Sequence, residues 1–320
     1  MPPNSHRIGI DERQLRAVLA RAGVDPARLA GWSELGAATF NTAYRIRLTD
    51  GSGLVLKIAP RPTAPILTYE HDIMHTEIEF YRVAADVVPV PRVVYADFSR
   101  ALMGTDLLLM TELPGTSWWE NEPGPTTRTR LRTELGELVA ALHGITGTTF
   151  GYPPRPAATW RAAFTGMMAD ILSDAERWAT PLPRPATVIR AAVTEHVAVL
   201  DEVTTPVLVH FDLWAGNILL ADGRISGLVD GERAFWGDPL AEFVSLALLG
   251  SIEDDSAFLT GYGFPAFDTS ARTRLALYRA YLYLLMLVEG GPRGYAGPGR
   301  DETVRLVTGH LDAALTELAA

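Results

Sequence analysis

Cysteine is absent from the 320 residues, which excludes disulfides and thiolate metal sites and gives no sign of a secreted scaffold. Lysine is nearly absent: Lys57 is the only one among 28 basic residues, the rest being arginine. Positive charge is in deficit, with a net charge of −10 at pH 7. That argues against nucleic acid as a partner, because a phosphate backbone calls for a basic face. Long apolar runs are missing too. The longest, Ala280 to Val288, is far short of the roughly 18 residues a membrane span needs. The opening MPPNSHRIGIDERQ holds no apolar segment of signal-peptide type. A cytoplasmic protein is expected, without a membrane contact and with no protein partner indicated.

What is present reads as globular. Hydrophobic residues at 48% and charged residues at 21% suit one large domain or two closely joined lobes with a sizeable core. The lone lysine has two readings. A GC-rich genome could have replaced every other lysine by arginine, or position 57 needs a compact ammonium that a planar guanidinium cannot mimic.

Hydrophobic periodicity divides the chain. Asp11 to Ala22 reads as an amphipathic helix with Leu15, Val18 and Leu19 on one face and Gly23 as its stop. Ala43 to Leu48 alternates as a strand, Asp50 to Gly53 is a turn, and Leu54 to Ile58 is a second strand ending in Lys57-Ile58. A helix is expected from Tyr69 to Ala85, then short strands at Val93–Ala96 and Leu107–Met110, and a hinge with a cleft at Leu113-Pro114-Gly115. Beyond the hinge the pattern turns helical. Leu131, Leu135, Leu138 and Leu142 form a core stripe. A strand at Val207–Val209 leads into His210-Phe211-Asp212, a hairpin joins Ile218–Leu220 to Ile225–Val229, and helices interrupted by a loop at 290–299 complete the chain. The fold class is therefore α+β, in two lobes: a β-rich 1–112 with one main helix and a mostly helical 113–320.

The chemistry concentrates in His210-Phe211-Asp212-Leu213-Trp214-Ala215-Gly216-Asn217 and in Asp230 after the hairpin. The spacing H-x-D, an Asn five residues on and a strand-end Asp matches what phosphoryl transfer requires. One carboxylate takes or orients a hydroxyl proton, while an amide oxygen and a second carboxylate hold a divalent cation on nucleotide phosphates. His210 reads as a backbone-orienting residue rather than a base. Lys57 at a strand end fits a phosphate-binding lysine partnered by a glutamate on the next helix, with Glu77 preferred over Glu70 and Glu79.

With HFDLWAGN stand LVDGERAFWGDP from Leu228, VPVPRVVYAD, LLLMTELPG and LGELVAALHGI. Together these segments resemble the aminoglycoside phosphotransferase and choline-kinase-like family, which shares the protein-kinase-like fold. The resemblance implies Asp212 as catalytic base, Asn217 and Asp230 as Mg²⁺ ligands, and Lys57, positioned by Glu77, on the phosphates of ATP or GTP. It implies that Met110, Thr111, Glu112 and Leu113 line the purine edge. A loop over residues 36–42, including Thr39, Asn41 and Thr42, would cover the phosphates. Phe211 stands where the family has glycine, which would reshape the acceptor side, and Gly231 where it has an aromatic residue. Glu232 would lie beside the metal, and Asp238 would cap the next helix.

No D-F-G or A-P-E segment prepares a peptide acceptor, so a small hydroxylated molecule is expected. An antibiotic of aminoglycoside or nucleoside type leads. A metabolite such as choline, a ketosamine or a sugar, or a pseudokinase without chemistry, is the alternative. Glu253-Asp254-Asp255 would suit a polycationic acceptor or simply be solvated surface. Trp118, Trp119, Trp214, Phe235 and Trp236 would form an aromatic wall or belong to the core.

Overall fold

The computed structural model describes residues 7–36, 40–264, 266–295 and 297–319. Helix α1 (Glu12–Arg21) starts where Asp11 accepts the N–H of Gln14 and Gln14 returns a bond to the Asp11 N–H. Five antiparallel strands follow: β1 (Leu29–Leu35), β2 (Thr42–Leu48), β3 (Gly53–Ile58), β4 (Val93–Asp97) and β5 (Leu107–Thr111). They lie in the order β1-β2-β3-β5-β4. Alternation of side chains explains how the sheet is covered on both faces. Leu107 and Leu109 of β5 point toward the buried Leu15, Val18 and Leu19 of α1, whereas Leu108 and Met110 join the main core. That is why β5 reads as an unbroken apolar run.

Helix α2 (Ile73–Ala84) lies on that second face with Ile78, Phe80 and Tyr81 buried. It starts later than the expected Tyr69. Thr68–Glu70 forms a separate 3-10 turn, Glu70 accepts the Leu67 N–H at 2.7 Å, and Asp72 adopts a left-handed φ of 61°. A left-handed residue cannot continue a right-handed helix, so the apolar pattern is continuous while the backbone is not.

The chain leaves the sheet through Leu113-Pro114-Gly115. Gly115 has φ 111°, and a Cβ there would sit 2.3 Å from the Leu220 carbonyl oxygen, so only glycine fits this crossing. Strand β6 (Thr116–Ser117) then pairs with the later hairpin. Helices α3 (Pro125–His143), α4 (Trp160–Arg177) and α5 (Ala186–His196) follow. Leu131, Leu135, Val139 and Leu142 face the core from α3, with Leu138 half-buried at its edge. Strand β7 (Val207–Val209) precedes the hairpin of β8 (Ile218–Ala221) and β9 (Arg224–Leu228), and β10 (Phe235–Gly237) returns to pair with β7. The expected strand and hairpin are thus found, with β1, β6 and β10 added.

Helices α6 (Leu240–Leu246), α7 (Ser256–Tyr262) and α8 (Thr269–Val288) complete the centre of this region. The run Ala280 to Val288 lies in α8 and is buried almost all round. In place of a loop throughout 290–299, the chain forms the short helix α9 (Gly290–Arg293) and enters α10 (Pro298–Leu318) within that stretch. None of the described helices is long and apolar enough to cross a membrane.

Candidate active site

Strand β3 carries Lys57 between Ala43 of β2 and Leu108 of β5, where the sheet is buried on both sides. Its ammonium meets Glu77 of α2 at 2.6 Å and also pairs with Asp230. Burial pushes the Lys57 amine down, but the Asp230 and Glu77 carboxylates outweigh it and hold the group well above its ordinary value. The two rivals for Glu77 go elsewhere: Glu70 pairs with Arg293, and Glu79 accepts from the Trp236 indole at 3.2 Å.

Asp230 follows β9 with a left-handed φ of 65°. Its N–H donates to the Tyr81 hydroxyl at 2.9 Å, and that hydroxyl donates to Glu77 at 2.8 Å. Tyr81 therefore ties the lysine's partner to the strand-end carboxylate. Next to it, Gly231 has no room for a side chain, because a Cβ would fall 2.3 Å from Cδ1 of Phe80. The aromatic volume missing at position 231 is supplied from α2 by Phe80.

Between β7 and β8 the backbone turns sharply. Phe211 has φ 62°, and its ring is buried against Phe235 at 5.0 Å and Tyr281 at 5.7 Å between centroids. This corrects the expected role of Phe211: its side chain enters the core and does not shape the acceptor side. His210 is buried as well. Its Nε2 faces the Val229 carbonyl at 3.0 Å and its Nδ1 faces the Asp212 N–H at 3.2 Å, an arrangement that assigns the proton to Nε2. Burial keeps this imidazole below its usual value and neutral, as a bracket for the loop.

From below, Glu242 of α6 accepts the N–H groups of His210 at 2.6 Å and Phe211 at 3.0 Å. Burial opposes its charge, yet the adjoining His143 side chain and the His210 N–H hold its carboxyl below the usual range. Asp238 supports the same helix by accepting the Leu240 N–H at 3.0 Å, the capping role expected of it.

Asp212 lies at the head of this loop. Asn217 donates through Nδ2 to the Asp212 carbonyl at 2.9 Å and to its carboxylate at 3.2 Å, which leaves Asn217 Oδ1 without a donor among the described residues. Burial pushes the Asp212 carboxyl up to about 7, with Arg233 pulling down and Asp230 pushing up. Arg233 reaches Asp212 at 3.4 Å and pairs on its other side with Glu289 at the end of α8.

The loop expected over phosphates is described only in part. Thr39 lies outside the described residues. Asn41 is buried and donates to Glu232 at 2.9 Å, and Thr42 is buried on β2 opposite Ile58. At the expected purine edge, Met110 is buried in β5, and the Thr111 hydroxyl accepts the Arg92 N–H at 2.9 Å. The Glu112 carboxylate turns toward Arg45 and Arg47 of β2, at 2.7 and 2.5 Å. The Glu112 N–H donates to the Gly53 carbonyl at 3.1 Å, and the Leu113 N–H makes no hydrogen bond among the described residues.

The donors present fit a hard divalent cation. Carboxylate oxygens of Glu77, Asp230 and Glu232 all lie within 4.8 Å of one another, around the single Lys57 ammonium. Burial, and then Asp230, pushes the Glu232 carboxyl well above its usual value. Glu77 Oε2 is buried without a hydrogen-bond partner among the described residues. Excess negative charge on oxygen donors is what such an ion neutralises.

Sequence reasoning missed Tyr81, Arg233, Glu242 and Glu289. Arg233 stands inside the LVDGERAFWGDP segment, and Glu289 is the acid that ends the longest apolar run. For Tyr81 and Glu242 nothing in local spacing announces the partner.

Three comparisons bear on this geometry. The model of the Phosphotransferase enzyme family matches residues 31–278. No curated protein sequence matches the chain. Among solved structures, a putative fructosamine-3-kinase from Thermobifida fusca is 21% identical with a TM-score of 0.68, covering 94% of this chain and 99% of that one. A ternary complex of a thermostable mutant of aminoglycoside phosphotransferase APH(4)-Ia with ADP and hygromycin B is 18% identical with a TM-score of 0.66, covering 94% and 97%. ADP-bound aminoglycoside phosphotransferase APH(2'')-Ib is 14% identical with a TM-score of 0.61, covering 97% and 99%. At these identities the likeness is one of fold: an antiparallel sheet with one main helix, followed by a helical region with an embedded hairpin.

Proposed function

The chain belongs to the phosphotransferase enzyme family, and we propose that it moves the γ-phosphoryl group of ATP or GTP onto a hydroxyl of a small-molecule antibiotic. The observation that carries this reading is the convergence of Lys57, Glu77 and Asp230 beside the Asp212–Asn217 pair. Residues 1–112 serve as the nucleotide-binding lobe and 113–320 as the catalytic and acceptor-binding lobe. Backbone groups at Thr111 to Leu113, after Met110, hold the purine edge, while Asn41 and Thr42 stand at the phosphates.

Mg²⁺, held by Asp230 and Asn217 with Glu232 alongside, supplies charge neutralisation on the phosphates when bound. The protein's own groups do the rest. Lys57, kept protonated by its two carboxylates, offers a compact cation to the α- and β-phosphates. Asp212 accepts the proton of the attacking hydroxyl as the new O–P bond forms and the bond to the β-phosphate oxygen breaks. Catalysis is then mainly positioning.

Two observations bear on the acceptor. The acidic stretch at 253–255 is occupied structurally: Glu253 pairs with Arg272 at 2.8 Å, and Asp255 pairs with Arg132 at 2.6 Å and caps α7. A polycation would find its carboxylates elsewhere. Of the aromatic residues, Trp118 and Phe235 are core, whereas Trp119 is 67% exposed and packs against Trp214 with ring centroids 5.8 Å apart. Trp214 is two residues from Asp212, so an acceptor with a flat face, of nucleoside type, has a stacking partner beside the base. A second reading, phosphorylation of a ketosamine or related metabolite, is favoured by the likeness to the putative fructosamine-3-kinase.

A mass-spectrometric turnover screen separates the two. Purified protein, Mg²⁺ and ATP or GTP are offered aminoglycosides, nucleoside antibiotics, choline, ketosamines and sugars. A product gaining one phosphoryl group from the antibiotic set supports the first reading, and one from the metabolites replaces it. Nucleotide binding without any product favours a pseudokinase.

A further inference from the structure

A relay of buried charges runs from the end of α8 to the loop that carries Asp212. In order it is Glu70, Arg293, Glu289, Arg233 and Asp212, with each neighbouring pair in ion-pair contact. Arg293 is 9% exposed, Glu289 8% and Arg233 12%. Such networks are poor sources of stability, since desolvating each ion costs about what its partner returns. Stability alone is therefore a weak account of this network.

Glu289 is the junction. Its Oε1 accepts the Tyr69 hydroxyl at 2.7 Å and pairs with Arg233, while its Oε2 meets Arg293 at 2.7 Å. The last turns of α8 before it are buried almost all round, which anchors the backbone that carries the carboxylate. Each of the two arginines it holds touches a different part of the site. Arg233 approaches Asp212 loosely, at 3.4 Å. The Arg293 guanidinium lies 5.3 Å from the ring centroid of Phe40, the neighbour of Asn41. Asn41 in turn donates to Glu232.

We propose that Glu289 is a positioning residue for phosphoryl transfer, which fixes Arg233 against Asp212 and Arg293 beneath Phe40 of the phosphate-covering loop. The inference rests on the phosphotransferase reading of the site. Glu289 touches neither reactant. It sets the separation between the base and the loop end through two guanidiniums of fixed fork geometry. Without it, Arg233 is free to close on Asp212 or to leave it, and Phe40 loses the cation beneath it.

The test uses the full chain and needs no known acceptor. Binding of ADP with Mg²⁺ is measured by calorimetry, and turnover as ATP hydrolysis with water as acceptor. Glu289→Gln, nearly isosteric, is expected to lower turnover by about tenfold or more, since small misplacements of reacting groups are costly. ADP affinity stays within about twofold, because the ion pairs that this change weakens face the transferring end. Glu289→Asp, which keeps the charge on a shorter stem, recovers part of the loss. Arg233→Lys, which cannot span both carboxylates, reproduces it even if the glutamine variant fails to fold.

Turnover within about twofold of wild type in Glu289→Gln and Arg233→Lys overturns the proposal. So does a loss that follows ADP affinity and melting temperature down together in both variants, for that is a structural role only. Wild-type protein that binds ADP but has no hydrolysis that Asp212→Asn abolishes overturns the underlying reading instead.

Discussion

Lys57 and Asp230, 173 residues apart in the chain, form a direct ion pair, and Glu77 meets the same ammonium. The strand-end lysine of the sheet and the strand-end aspartate of the hairpin thus define the meeting point of the two halves of the molecule. Substituting Lys57 by arginine keeps the charge but replaces a point donor, held between two carboxylates, with a larger planar fork. Lys57→Arg is expected to lose about tenfold or more in kcat/KM for the nucleotide, with a melting temperature close to wild type. Steady-state kinetics on ATP check it. Unchanged kinetics would make the lone lysine an accident of codon usage.

Asp212 carries two opposite pH dependences. As a base it works only when deprotonated, so turnover is expected to rise through an apparent value of about 7. For stability, a carboxyl raised from 3.8 to about 7 keeps a proton in the folded chain that the unfolded chain has released. Its contribution is complete below pH ~4 and is lost as pH rises through 7. Asp212→Asn should therefore abolish nearly all turnover while melting about 2–6 °C higher than wild type at pH 8. At pH 4 the difference should vanish. A variant that melts lower at pH 8 contradicts the assignment.

Gly231 and Phe80 share one volume. Gly231→Trp, which restores the aromatic residue typical of the family at this position, is expected to cost about 1–3 kcal/mol through overpacking against Phe80. Adding Phe80→Ala should recover part of that loss. Urea midpoints of the two single variants and the double variant give the coupling, and strict additivity would mean that the two side chains never compete.

Glu242→Ala removes the acceptor for the His210 and Phe211 N–H groups and leaves two buried donors unpaired. A loss of about 2–4 kcal/mol is expected in urea unfolding, with turnover falling further than stability explains. The measurement is kcat under conditions where the variant is fully folded by circular dichroism.

Much of this site is legible in the sequence because its key groups sit at strand ends with fixed local spacing. Asp212, Asn217 and Asp230 are bracketed by β7, β8 and β9, and Lys57 lies at the end of an apolar run that follows a turn after the alternating strand. Its place on the main helix beside Ile78, Phe80 and Tyr81 favours Glu77 while leaving Glu70 and Glu79 as rivals, and Glu77 is the one that meets the lysine. Arg233, Glu242 and Glu289 are not legible, because a buried carboxylate or guanidinium is defined by partners tens to hundreds of residues away. The left-handed turn at Phe211 is hidden for a related reason: the core packing of its ring offsets a conformation that a bulky residue avoids. Strand β1 escapes because an edge strand, exposed along most of its length, has no apolar alternation to display. The break before α2 escapes because Glu70 is drawn to Arg293 from the far end of the chain.

The buried Lys57 also makes this an almost amine-free protein at the level of side chains. Acylating reagents have a single lysine to find, and that one is held protonated between two carboxylates, so bulk labelling should pass the molecule by. A reactive acyl group delivered on a nucleotide meets the opposite situation. It is brought to the one side-chain amine of the chain, and attachment there, located by peptide mapping, would report nucleotide bound beside Lys57 with no background from any other lysine.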